Sequence, residues 1–193
     1  MRIRKRAGSA LFVVAASAMA IGLGATTALA TSATLTVKVT GGGTYTATST
    51  KTVLTDNGVS VTCTGSKATG TIPTKTYTKA TTPVTVKVNK LPYKVTVDSK
   101  TNAKGQTDGL ISGANTSVSM TGCKFNVTGS APGFYTNSGH TLSLTPKLPN
   151  KPLNTGQLTV SGVVGCASLV KNGDHPSYTS TYKVSRAVVI KAS

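Results

Sequence analysis

An all-β fold, antiparallel and built from about ten short strands, is what this sequence predicts. Three observations carry that expectation. Thr supplies 33 of the 163 residues from Thr31 to Ser193, and Glu is absent. Val is abundant beside it while Gln and Leu are scarce, a balance that disfavours helix and favours strand. Apolar residues also recur with period two, in short runs separated by Gly, Asn, Asp and Pro clusters. That pattern belongs to half-buried antiparallel strands. It leaves open a β-sandwich or a small closed β-barrel.

Residues 1–30 read as a secretory signal peptide and stand outside the fold. Arg2, Arg4, Lys5 and Arg6 form a basic start, Leu11–Leu23 an apolar core, and Ala28-Leu29-Ala30 a cleavage site. Gly22, Gly24 and the shortness of the core argue against a retained anchor. The lack of adjacent arginines points to the general secretory route of a bacterium, and no cysteine at the cleavage point offers a lipid anchor. Residues 31–193 are then one all-β domain, extracellular or associated with the cell wall, with no later apolar stretch long enough to span a membrane as a helix.

Along the chain, Leu35, Val37 and Val39 alternate with Thr and Lys, as do Val59, Val61 and Cys63. Val84, Val86 and Val88 repeat the pattern, and Tyr93, Val95 and Val97 resume it after Leu91-Pro92. Cys123, Phe125 and Val127 follow, then Leu142 and Leu144, Leu158 and Val160, and finally Tyr178, Tyr182 and Val184. Turn signals separate them: Gly41-Gly42-Gly43, Asp56-Asn57-Gly58, Asp108-Gly109, Asn137-Ser138-Gly139, Pro149-Asn150 and Asn172-Gly173-Asp174. Thr71–Thr82, Lys100–Gln106 and Pro146–Thr155 read as loops.

Three cysteines in an exported chain leave at least one thiol unpaired or shared between molecules. Cys123 and Cys166 both sit in strand-plus-glycine contexts, which favours a bridge between them and makes Leu158–Asp174 the stretch that organises the chain. Cys63 faces the side of Val59 and Val61 and reads as an unpaired thiol in the core, with a bond between two molecules as the alternative.

The segments VTCTGSKATGTI (Val61–Ile72), LPYKVTVD (Leu91–Asp98), GLISGANTSVSMTGC (Gly109–Cys123), GFYTN (Gly133–Asn137) and VSGVVGCASLVKNGD with YTSTYKVS (Val160–Ser185) occur in this order. Together they resemble a family of small secreted β-rich proteins of actinobacteria such as streptomycetes. The resemblance implies a secreted β fold and supplies no chemistry. It also implies four cysteines, paired first with second and third with fourth. Cys63, Cys123 and Cys166 match the first, third and fourth; near Pro83-Val84-Thr85 the second is missing. The resemblance thus supports the Cys123–Cys166 bridge and leaves Cys63 without its partner.

Catalysis is the class with least support. Glycoside hydrolysis needs two flanking carboxyl groups. Of the four acids, Asp56, Asp108 and Asp174 fall in turn signals, where Asp commonly bonds its own backbone, and Asp98 closes a strand. Asp174 and His175 are sequence neighbours, poor geometry for one to orient the other in a triad, and no nucleophile elbow is present. His140 and His175 with scattered cysteines match no metal-ligand spacing, and Gly41-Gly42-Gly43 lacks the lysine and helix of a phosphate loop. No cofactor is implied.

Charge is the feature that remains. Without the four basic residues of the leader, the formal net charge falls from +17 to +13. Lys38, Lys87, Lys94, Lys124 and Lys183 occupy outward positions of the strands. They serve solubility and edge protection, or attract a polyanion such as an anionic wall polymer or lipid surface. One Arg (Arg186) and no Trp disfavour specific recognition of nucleic acid. Two further readings are a protein partner docked on an exposed sheet edge, and a membrane-active hairpin formed by Val84–Asn89 and Tyr93–Asp98. The hairpin runs are shorter than a spanning strand requires.

Overall fold

Fourteen strands and no helix occur among the described residues, which in this computed structural model are 34–56, 58–79, 84–86, 94–150 and 157–193. The all-β expectation holds, with more strands than the period-two runs implied. Ser32–Ser193 form one compact unit. The leader expected over residues 1–30, as well as Asn57, Lys87, Leu91, Pro92 and Tyr93, lie outside the described residues.

In chain order the strands are β1 (Leu35–Thr40), β2 (Gly43–Ser49), β3 (Thr52–Asp56), β4 (Val59–Cys63), β5 (Ser66–Ile72), β6 (Lys75–Lys79) and β7 (Val84–Val86). They continue with β8 (Lys94–Val97), β9 (Gln106–Met120), β10 (Cys123–Thr136), β11 (Thr141–Leu144), β12 (Leu158–Val164), β13 (Ser177–Val184) and β14 (Val189–Ala192). All pairings are antiparallel. A small sheet runs β14-β1-β6, and a large one runs β4-β3-β13-β11-β10-β9-β8-β7, with β12 added to β10 and β2-β5 added to β13. Among the described residues no closed barrel forms; the arrangement is sandwich-like.

Two long strands change partners partway, and this splits the interior into two clusters. The first half of β10 pairs with β12 and its second half with β11, while β9 follows its other edge throughout. Likewise β13 pairs first with β3 and then with β2. In one cluster Leu35, Val37 and Val39 of the small sheet meet Val84, Val86, Tyr135, Tyr182 and Val184 of the large one. In the other, Leu54 meets Val118, Phe125, Val127, Leu158, Val160 and Val170. Each side chain of this size, fully buried, contributes about 1.5–3 kcal/mol. Tyr178 packs against both clusters.

Several strands were hidden from the period-two reading because their inward positions include Thr, Ala or Gly, as in β5, or Lys on either side of one Tyr, as in β6. Residues 71–82, expected as a loop, contain the end of β5 and all of β6. The expected turn at Asp108-Gly109 lies inside β9. Asp108 points outward there, yet it is only 1% exposed, because the segment after β11 folds over it. Asn150 donates from its backbone N and its Nδ2 to the Asp108 carboxylate, both at 3.1 Å. Gly109 is needed for close approach rather than for turning: a Cβ there would stand 2.5 Å from the carbonyl oxygen of Thr96.

A bulge sets the register of the main ladder. Gly113 (φ 79°) is the extra residue on β9, opposite the step from Gly129 to Ser130 on β10. It switches the inward set of β9 from Val118, Thr116 and Ala114 to Ile111 and Gly109. At Gly129, φ is 125° and a Cβ would lie 2.1 Å from the carbonyl oxygen of Gln157.

Cys123, at the start of β10, is bonded to Cys166, just beyond β12, across a sequence separation of 43. The expected bridge is present. Cys63 is free, and half-buried rather than enclosed in the core.

Replacing Gly129 with Ala is expected to cost about 3 kcal/mol in chemical denaturation, because both the positive φ and the carbonyl contact oppose a Cβ. The double variant Cys123→Ala/Cys166→Ala should lose roughly 4 kcal/mol, the loop-closure value for this separation. Equal midpoints for variant and native protein would contradict either expectation.

Candidate functional site

The strand lysines point outward as the alternation requires, but not to one face. Lys38, Lys94, Lys124 and Lys183 are all exposed, and Lys87 lies outside the described residues. Lys38 belongs to the small sheet, whereas Lys94, Lys124 and Lys183 belong to separate parts of the large one. The register instead creates two local groups. Lys38 stands directly opposite Lys191 on β14, with Thr76 on its other side. Lys183 and Lys67 flank Thr48 on the outer face of β13-β2-β5. Lys183 Nζ also donates to the carbonyl of Gly139 at 2.6 Å. Like charges directly opposite each other in a sheet are destabilising by tenths of a kcal/mol.

The one arginine beyond residue 30 has a structural task. Arg186 Nε donates to the carbonyl oxygens of Gly41 and Gly42 at 2.9 and 2.8 Å and so fastens the turn between β1 and β2.

Two carboxyl groups that the sequence keeps 118 residues apart meet in the fold. Asp56 ends β3 and hydrogen-bonds the Asp174 side chain. Partial desolvation, that hydrogen bond and the repulsion between the two groups push the Asp56 carboxyl above its ordinary value, with His175 pulling the other way. Carboxyls in direct hydrogen-bonding contact stand closer than the roughly 5 Å or more that glycosidase pairs keep. Asp174 Oδ2 also accepts from Lys171 N at 2.7 Å, the turn role expected of it. His175 Nδ1 lies 2.9 Å from the carbonyl of Leu158, so the backbone orients its ring.

The feature that the sequence reading did not find is inside. A cavity of about 190 Å³ lies between the strands. Its walls include four tyrosines (Tyr45, Tyr135, Tyr178 and Tyr182) and small residues where large ones would have filled the space (Ala47, Ala68, Ala114 and Ala131). Left empty, a hydrocarbon-lined space of this volume costs about 4–5 kcal/mol. Thr116 also lines it and is exposed, so the cavity meets solvent on that side. The clue in the sequence was the small size of the inward residues, which a search for apolar alternation passes over.

The tyrosine hydroxyls are already engaged. Tyr135 donates to the carbonyl of Val188 at 2.8 Å, and burial pushes its phenol up to about 12. Tyr178 and Tyr182 share a 2.6 Å hydrogen bond, and Tyr182 lies 2.9 Å from Ser66 Oγ. Burial, then the bond to Tyr182, lifts the Tyr178 phenol well above its ordinary range. Behind this pair, Thr52 Oγ1 and Ser180 Oγ are 3.0 Å apart, and Ser180 donates to Ser49 at 2.9 Å; all three are buried.

The β7–β8 hairpin, expected as an alternative membrane-active element, has strands of 3 and 4 described residues. Val84, Val86 and Val97 are buried in the first cluster.

Fold and site together define a class, a disulfide-stapled antiparallel β-sandwich with an apolar cavity inside and lysines outside. Comparison with known protein families, curated proteins and solved structures returned no match to this chain.

The Asp56–Asp174 contact makes a pH prediction. A raised pKa means the folded state holds that proton more tightly than the unfolded chain does. The stabilisation is therefore complete below the ordinary Asp value of 3.8 and is lost as pH rises through the raised folded value. Asp56→Asn cannot ionise, so its denaturation midpoint should exceed that of the native protein at neutral pH, the gap closing in acid. Parallel profiles across that range would contradict the assignment.

Proposed function

We propose that this protein is a secreted, non-catalytic domain of the cell envelope, drawn to an anionic envelope polymer or surface by lysines on its outer faces. The observation that carries this reading is the Lys38–Lys191 pair. Both lysines are exposed, they stand opposite each other, and the residue across from Lys38 on its other side is Thr76 rather than a carboxylate. A bound anion between them would convert a repulsive pair into a bridge. The flanking Thr36, Thr40 and Thr78 offer hydroxyl donors to the same ligand. Lys67 and Lys183 form a second such position around Thr48.

One observation favours a second reading, a partner protein added to a sheet edge. β4 ends the large sheet and carries VSVTC, with neither Lys nor Pro to blunt it. By contrast β6, at the edge of the small sheet, turns Lys75 and Lys79 to the face of Val39 and Leu35, a known way of protecting an edge.

Salt separates the two. Co-sedimentation with cell walls or anionic liposomes should fall steeply between low and near-molar salt, whereas edge pairing should survive. Each lysine near an anionic surface contributes about 1 kcal/mol. Lys38→Gln/Lys191→Gln should then weaken binding roughly thirtyfold at low salt. Salt-independent binding, or full binding by the double variant, would overturn the polyanion reading.

A further inference from the structure

We propose that the interior cavity is a binding site for a hydrocarbon group, taken from a molecule of about ten carbon atoms or from the end of a longer acyl chain. This goes beyond the lysine reading and is independent of it.

The volume is the first argument. At about 190 Å³ the space exceeds the roughly 150 Å³ apolar cavity that is known to stay dry and to take up benzene. It is smaller than the usual range for drug-sized ligands, which limits the occupant to one ring or a short branched chain.

Wall chemistry is the second argument. Ile72, Ile111, Leu142, Leu158 and Val184 contribute hydrocarbon alongside the four alanines, and among the described residues no charged side chain takes part. The hydroxyls of Tyr135, Tyr178 and Tyr182 already bond Val188, each other and Ser66. A water inside would need two to four polar partners, and these three hydroxyls are spent on the protein, while Thr116 stands at the exposed side. The occupant therefore needs no polar anchor.

Access is the third argument. Thr116, exposed while lining the space, lies on β9 beyond Ser112, the last residue of that strand with a described partner on β8. An acyl chain could enter beside it and leave its head group in water.

The test titrates the purified protein with butylbenzene and, separately, dodecanoic acid, followed by calorimetry, thermal unfolding and amide NMR. The native protein should bind saturably, one molecule per chain, with a raised midpoint and shifts at Ile111, Ala131 and Tyr178. Ala131→Leu fills the buried side and Ala114→Ile the side near Thr116. Each should lose at least tenfold in affinity while keeping the native spectrum elsewhere, and Ala114→Ile serves alone if Ala131→Leu does not fold. Butylbenzene binding assigns the site to a free small molecule; dodecanoic acid binding without it assigns the site to an acyl chain. Absence of saturable binding to both, or affinity unchanged in a folded filled variant, would overturn the proposal. Near-molar salt should leave the butylbenzene affinity intact, so failure here is distinguishable from failure of the lysine reading.

Discussion

The ladder between β9 and β10 is the constraint on which the rest of the structure depends. Its register runs from Cys123 opposite Met120 to Thr136 opposite Gln106, broken once by the Gly113 bulge. Because β10 is longer than any strand on its far edge, it accepts β12 along one half and β11 along the other. That exchange of partners sends the sheet in two directions and produces two apolar clusters. The disulfide then ties the start of β10 to the chain leaving β12, so the end of the ladder that bears Lys124 is covalently closed.

Packing in this molecule is uneven for a reason visible in its residues. Where β9 and β10 present Val118 and Phe125, the interior is filled; where they present Ala114 and Ala131, it is not. Nearby, Ala47 and Ala68 face each other across β2 and β5. The walls hold their shape through hydrogen bonds from tyrosine hydroxyls as well as through packing. The Tyr178–Tyr182 bond joins the cavity to the buried Ser49, Thr52 and Ser180, where β13 passes from β3 to β2. Cross-linking of that kind rigidifies a hollow interior that apolar contacts would otherwise tend to collapse.

The outer surfaces follow electrostatics of a different kind. Four acids against 21 basic residues leave few opportunities for pairing. The acids serve the fold: Asp108 holds the segment at Asn150, and Asp56 and Asp174 meet each other. The lysines remain in water, some protecting edges and some set opposite one another by strand register.

Composition and alternation by themselves determined the secondary structure class, the outward side of Lys38, Lys94, Lys124 and Lys183, and the favoured cysteine pair. Those are local properties: β-branched residues suit a pleated backbone, and period two assigns faces whatever the strand's neighbour. Strands with Ala and Gly inside, such as β5, or with lysines flanking one inward Tyr77, such as β6, left no such trace. Only the tertiary structure decided which strands adjoin, because antiparallel pairing is governed by contacts distant in sequence. It moved Asp108 from a presumed turn to a buried strand position, since the covering segment comes from Asn150. It also brought Asp56 to Asp174, set Lys38 against Lys191, and placed Lys94, Lys124 and Lys183 in separate parts of the large sheet. The cavity belongs to the same category: four small residues from four strands enclose a volume only when register and bulge bring them around the same space.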